Sequence, residues 1–291
     1  GNAGNAGGTG NTGNTGGAGN AGGTGNAGNG GSSGIGANGG NGGEGGPIGG
    51  MGAGDGTPCQ VSADLDDFIE DRMAEDNIPG LAAGIVNAQG LVWAKGYGMA
   101  NVETQRPVDE DTIFALMSIS KMVTAAGVMQ QVEAGSLDLE ADINSYFDGV
   151  TVRPDIPFTI DNPRANGTIT LEHLLSHTSG IAGDEYGVLQ LNIAISDAEV
   201  QPLGEMLASL LHPQGARYDG GDHYSDNPPG ANFTYSSIGI SLGAYAAEVV
   251  SGMGFDELTQ RHIFDALGMA NTSWRLSHYE NNWDQVAVMY N

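Results

Sequence analysis

Glycine recurs at every third position from Gly1 to Gly34, and the run that carries it cannot build a hydrophobic core. Residues 1–57 hold 28 of the 50 glycines of the chain, with only Ile35, Ile48 and Met51 as large apolar side chains. Fixing the backbone costs roughly 1–2 kcal/mol per residue in lost entropy, and such a segment has no burial to offset it. A Gly-X-Y period suggests collagen, yet the first proline is Pro47. A triple helix needs imino acids to preset the polyproline II conformation. Residues 1–57 therefore read as a flexible linker, with a root-mean-square span of about 40 Å. Residues 58–291 are the globular part and are long enough for a sizeable core.

Charge narrows the partners. Two of the 35 acids, Glu44 and Asp55, lie in the linker, so the globular part carries 33 acids against 9 bases, a net of −24. Nucleic acid and anionic membrane both demand a positive surface, so this balance argues against them as partners. A small-molecule or peptide substrate is the expected partner. The single cysteine, Cys59, excludes an internal disulfide framework and a Cys-rich metal site; it reads as an inert thiol at the linker boundary, the alternative being a pairing with a cysteine outside this sequence. No run approaches 18 apolar residues, so no transmembrane helix is expected. The chain opens on Gly1 without a basic-then-apolar leader and reads as a processed or trimmed form. The expected setting is secreted, periplasmic or cell-envelope associated, with the linker as a tether. No cofactor is implied.

The pattern of apolar residues gives strands first and helices after. Ser62 is placed to cap a helix over 63–76 with Leu65, Phe68, Ile69 and Met73 on one face. Runs 81–86 and 91–97, separated by Asn87-Ala88-Gln89-Gly90, predict a β-hairpin. Helices are predicted over 118–133 (stopped by Gly135), 171–177 (capped by Thr170), 197–211, 236–250 and 255–267. Residues 214–231 read as loop. Two strands are too few for a stable sheet, so either the helices cover a small hairpin or the rest of the sheet lies beyond Asn291.

Two constellations carry chemistry. In Ser118-Ile119-Ser120-Lys121, positions i and i+3 share a helix face, so the serine hydroxyl and the lysine amine can meet. The neighbours Phe114, Leu116, Met117, Ile119, Met122 and Val123 are apolar and predict a buried lysine with a lowered pKa, able to act as a base. In Pro229 to Gly239, Tyr235 stands just before a helix, where its phenol can point into a cleft and shuttle a proton.

These segments, with Ile169-Thr170-Leu171-Glu172-His173-Leu174-Leu175-Ser176-His177-Thr178-Ser179-Gly180-Ile181 between them, occur in an order that resembles the serine β-lactamase and penicillin-binding-protein-like family, especially its class C β-lactamase, D-aminopeptidase and carboxylesterase branch. The resemblance implies an α/β (α+β) fold, a helical domain beside a mainly antiparallel sheet with the site between them. It implies Ser118 as acylated nucleophile, with Lys121 and Tyr235 moving protons. Two features differ from the family pattern. The usual Tyr-x-Asn is Tyr235-Ser236-Ser237 here, so Ser237 takes the substrate-binding place with a shorter side chain and one donor hydrogen instead of two. The third motif, a Lys- or His-containing triad ending in Gly, is absent, and is expected past Asn291.

Three other patterns compete. Gly239-Ile240-Ser241-Leu242-Gly243 matches a hydrolase elbow, which needs a strand before it and a helix after it. His173 and His177 have zinc-binding spacing but lack the adjacent glutamate of a zinc protease, and read as part of a capped turn, with His177 holding the loop after it. Asp219, Asp222, His223 and Asp226 read as a solvated acidic loop. The leading expectation is a serine hydrolase acting through an acyl-enzyme on a β-lactam, D-amino-acid peptide or ester carbonyl. The alternative is a catalytically inactive binding module on the same fold.

Overall fold

The computed structural model describes residues 63–290 apart from 89, 154–155, 183–196 and 198–199. The linker, Cys59 and the Ser62 cap lie outside the described residues. Helix α1 (Ala63–Asp76) leads into strand β1 (Gly80–Asn87), which pairs antiparallel with β2 (Gly90–Asn101) in the register Gly80↔Gly98 to Asn87↔Gly90. The two-residue β3 (Arg106–Pro107) pairs antiparallel with β2 and completes a three-stranded sheet ordered β1-β2-β3. A short ladder of β4 (Thr151–Arg153) and β5 (Ile156–Pro157) lies among the helices.

The α1 face is narrower than its periodicity predicts. Met73 is buried, Leu65 and Ile69 are half-buried, but Phe68 is 56 % exposed with the Arg72 guanidinium over its ring. A polar clasp holds α1 to β2 instead. The Asp66 carboxylate accepts from the Tyr97 hydroxyl at 2.6 Å and pairs with the Lys95 amine at 2.9 Å. The Tyr97 bond first, and Lys95 second, hold the Asp66 carboxyl below its ordinary 3.8. A depressed carboxylate contributes stability above its unfolded pKa and loses it as pH falls through the folded value. Asp66→Asn is therefore expected to lower the melting temperature at neutral pH. The gap to the native chain should close as pH falls below 3.8, as thermal unfolding at a series of pH values will show.

The helical region is built around two further helices. Helix α2 (Ser120–Glu133) packs against α5 (Ser237–Ser251), with α3 (Leu171–Leu175), α4 (Leu203–Leu211) and α6 (Phe255–Thr259) around them. Helix α5 buries Ile238, Ile240, Leu242, Ala244, Ala246 and Ala247, apolar nearly all round, as a central helix must be. No single described helix is long and apolar enough to cross a membrane. The core joins Val128, Ile143, Leu174, Leu207, Leu211 and Leu258 to a ring cluster of Phe147, Phe158 and Tyr245, with centroids 4.7 to 5.4 Å apart.

Several boundaries move for local reasons. Helix α4 starts at Leu203, not 197, because Pro202 lacks an N–H and fits the helix entrance. Asp197 instead accepts from the backbone of Leu276 at 2.8 Å and Ser277 at 3.0 Å. Helix α6 closes at Thr259 and widens into a π turn over Gln260–Phe264. The buried Thr259 hydroxyl donates back to the Phe255 carbonyl at 2.8 Å, a bond that loosens the regular ladder there. Helix α3 ends at Leu175, two residues short of the predicted 177. Residues 214–231 contain no helix or strand.

Candidate active site

Met117 takes φ +46°, the left-handed region, which costs a non-glycine residue roughly 1–3 kcal/mol and is held only by its surroundings. One 3₁₀ turn, Met117–Ile119, then leads into α2. The helix starts two residues after the predicted Ser118 because neither Leu116 nor Ile119 offers a capping side chain, and the Ser118 hydroxyl is engaged elsewhere. The Lys121 amine lies 3.3 Å from Ser118 Oγ, as the i,i+3 spacing predicts. The Tyr235 hydroxyl donates to the same oxygen at 2.8 Å. Lys121 Nζ also sits over the Tyr235 ring, 4.7 Å from its centroid. Lys121 and Tyr235 thus converge on the Ser118 oxygen from two segments of the sequence. A cleft of about 510 Å³ borders the same turn through Leu116 and Ser120.

The predicted burial of the lysine is not found. Met117, Ile119 and Met122, the neighbours expected to enclose it, are 56 %, 58 % and 72 % exposed. On a helix only one face packs, and here that face carries Thr124, Gly127 and Val128. Lys121 itself is half-buried, on the edge of the packed face.

Tyr235 is held in place by the start of α5 and by a ring beneath it. Ser236, extended and buried, caps α5 by accepting from Gly239 N–H at 2.9 Å. Ser237, the fourth predicted site residue, is the first residue of that helix and half-buried. Beneath Tyr235 lies His177, just past the end of α3, with φ +59°. Its carbonyl accepts from Thr234 N–H at 2.7 Å and its Nδ1 from Ser236 N–H at 3.2 Å. Its ring lies 4.7 Å from that of Tyr235 and 5.7 Å from that of Phe233. The sequence assigns His177 to the loop after it; the structure ties it also to a segment 59 residues away. No local pattern signals that pairing.

The competing patterns resolve as structure. Thr170 and His173 form a reciprocal capping box, with Thr170 N–H on His173 Nδ1 and His173 N–H on Thr170 Oγ1, both 3.3 Å. His177 stands beyond the end of α3 in a left-handed conformation, so the two histidines do not share a helix face. Among the described residues no group of three or more His, Cys, Asp or Glu is placed to hold a metal ion. Ser241 lies inside α5 with no strand before it, which removes the elbow. In the acidic loop, Arg164 pairs with Asp222 and Asp226 while both carboxylates face solvent.

Comparison with known proteins gives the family and the fold. The family model described as Beta-lactamase matches residues 65–289. The unguisins hydrolase of Aspergillus violaceofuscus is 26% identical over 236 residues, which are 81% of this chain and 38% of that protein. Penicillin-binding protein 4 of Amycolatopsis lactamdurans is 29% identical over 195 residues, 67% of this chain and 44% of that protein. Among solved structures, the octameric penicillin-binding protein homologue from Pyrococcus abyssi superposes with a TM-score of 0.62 at 29% identity, covering 78% of this chain and 47% of that one. A class C beta-lactamase shares the fold at a TM-score of 0.57 and 20% identity, over 78% of this chain and 54% of that one. The chain spans about two-fifths of the length of these curated relatives. The fold, helices beside an antiparallel sheet, is the β-lactamase/transpeptidase-like fold of serine hydrolases. With that fold and a match over most of its length, the chain belongs to the beta-lactamase family.

Proposed function

We propose that this protein is a serine hydrolase that works through an acyl-enzyme, with Ser118 as nucleophile. The observation that carries the reading is the convergence of the Lys121 amine and the Tyr235 phenol on Ser118 Oγ. Ser118 Oγ forms a bond to the substrate carbonyl carbon. Its proton passes to whichever of the two partners is in its basic form. Collapse of the tetrahedral intermediate expels the leaving group, which takes the proton back. Water then attacks the ester on Ser118 and releases the acid, with the proton path reversed. Ser237, at the mouth of α5, is assigned to substrate binding. The carbonyl belongs to a β-lactam, a D-amino-acid peptide or an ester. The names of the relatives, a hydrolase and a penicillin-binding protein, support this range without choosing within it.

A catalytically inactive binding module is the second reading. It is favoured by Ser237, which stands where the family pattern has an asparagine. One experiment separates the two. The full-length protein is incubated with a fluorescent penicillin and with a fluorophosphonate, and the adduct is located by mass spectrometry. The enzyme reading expects a covalent adduct on Ser118 with at least one probe. Reversible binding of the penicillin without any adduct supports the binding module.

A further inference from the structure

We infer that His177 is a positioning residue that sets the Tyr235 phenol on Ser118 and makes the site sensitive to acid. This inference rests on the serine-hydrolase reading above. The ring accepts a hydrogen bond at Nδ1 from Ser236 N–H. A neutral imidazole that accepts at Nδ1 carries its proton on Nε2, and a protonated imidazole has no acceptor nitrogen at all. Protonation therefore turns the Ser236 contact from a hydrogen bond into two N–H groups facing each other.

The lost contact lies one residue from Tyr235. Ser236 is 1 % exposed and caps α5, so its backbone cannot turn to water for a replacement partner. The same ring packs against Tyr235 at 4.7 Å, and the phenol at its far end reaches Ser118 Oγ at 2.8 Å. A displacement of the 234–236 backbone is transmitted to that oxygen through a single rigid side chain. Among the described residues, the titratable ring of Tyr235 lies 4.7 Å from that of His177, and the Lys121 amine sits over the Tyr235 ring.

The backbone at this position sharpens the test. His177 has φ +59°, which asparagine tolerates better than most residues. Asparagine also presents a carbonyl oxygen close to the place of Nδ1, and it does not titrate. His177→Asn therefore keeps the acceptor and removes the proton switch, whereas His177→Ala removes both.

The experiment follows fluorophosphonate labelling of Ser118 in the full-length protein from about pH 8 to about pH 5, the range in which an imidazole changes charge. His177→Ala is expected to slow labelling roughly 10- to 100-fold at the upper pH, the cost of a misplaced proton-transfer group. His177→Asn is expected to restore much of that rate and to lose the acid limb expected of the native chain. An unchanged acid limb in His177→Asn overturns the inference. Amide hydrogen exchange at Ser236 gives a readout independent of activity. Acidification should reduce protection there in the native chain and leave His177→Asn protected at the same pH. If Ser118 is never labelled but this exchange difference appears, the positioning contact stands and the hydrolase reading falls. If the exchange difference is absent, the inference falls whatever the labelling shows.

Discussion

Replacing Lys121 with methionine is expected to slow acylation of Ser118 by on the order of 10²–10⁴, the usual worth of a positioned proton-transfer group. The side chain keeps its length and loses its amine, so the 3.3 Å contact to Ser118 Oγ disappears. The change should leave the fold intact, because the neighbouring Met117, Ile119 and Met122 are themselves exposed and no packed cavity opens. Tyr235→Phe removes the second contact at 2.8 Å and should also slow the reaction. Both groups act on one oxygen, so the double variant is expected to fall short of the product of the two single effects. Labelling rates with a fluorophosphonate, beside thermal unfolding of each variant, check all three expectations. Native-rate labelling of Lys121→Met would remove the amine from the mechanism.

The second large effect concerns stability. Phe158→Ala is expected to destabilise the domain by about 3–5 kcal/mol, the range for deleting a buried ring from a packed core. Phe158 is 1 % exposed and meets Phe147 edge-on at 4.7 Å and Tyr245 at 5.1 Å. Both partners would face a void that neighbouring side chains fill only in part. Phe68→Ala is the matched control. That ring is 56 % exposed, so its loss should stay within about 0.5 kcal/mol. Urea unfolding measures both, and an unchanged slope would locate the effect in the native state.

The contrast between those two phenylalanines shows what was legible in the sequence. Periodicity places Phe68 on the apolar face of α1 and offers no pattern for Phe158, yet only Phe158 is buried, because tertiary packing decides which ring finds a partner. Local chemistry reads more surely. Thr170 predicts its cap, the Ser118–Lys121 spacing predicts its contact, and Ser236 opens α5 within a residue of expectation. Pro202 could have trimmed α4 correctly, since a proline with no N–H belongs at a helix entrance. Other features leave no local trace. Met117 adopts a left-handed backbone without glycine or asparagine to announce it. His177 reaches a backbone N–H far along the chain, and the choice of that partner belongs to the docking of α3 beside α5. The apolar run around Lys121 misled for the opposite reason: it reports composition, while burial depends on which helix face meets α5.

Ser118 and Tyr235 stand 117 residues apart. A ribosome working at roughly 5–20 residues per second therefore releases the serine about ten seconds before the phenol. Lys121 arrives with the serine, but Tyr235 gains its place only after α5 has emerged and docked. The nascent chain thus carries its hydroxyl through synthesis with one of its two proton-transfer contacts unmade. Long-range closure is slow compared with helix formation, so assembly of the site is a late step of folding and a sensitive reporter of it. A probe that reacts with Ser118 would time the meeting of the two helices.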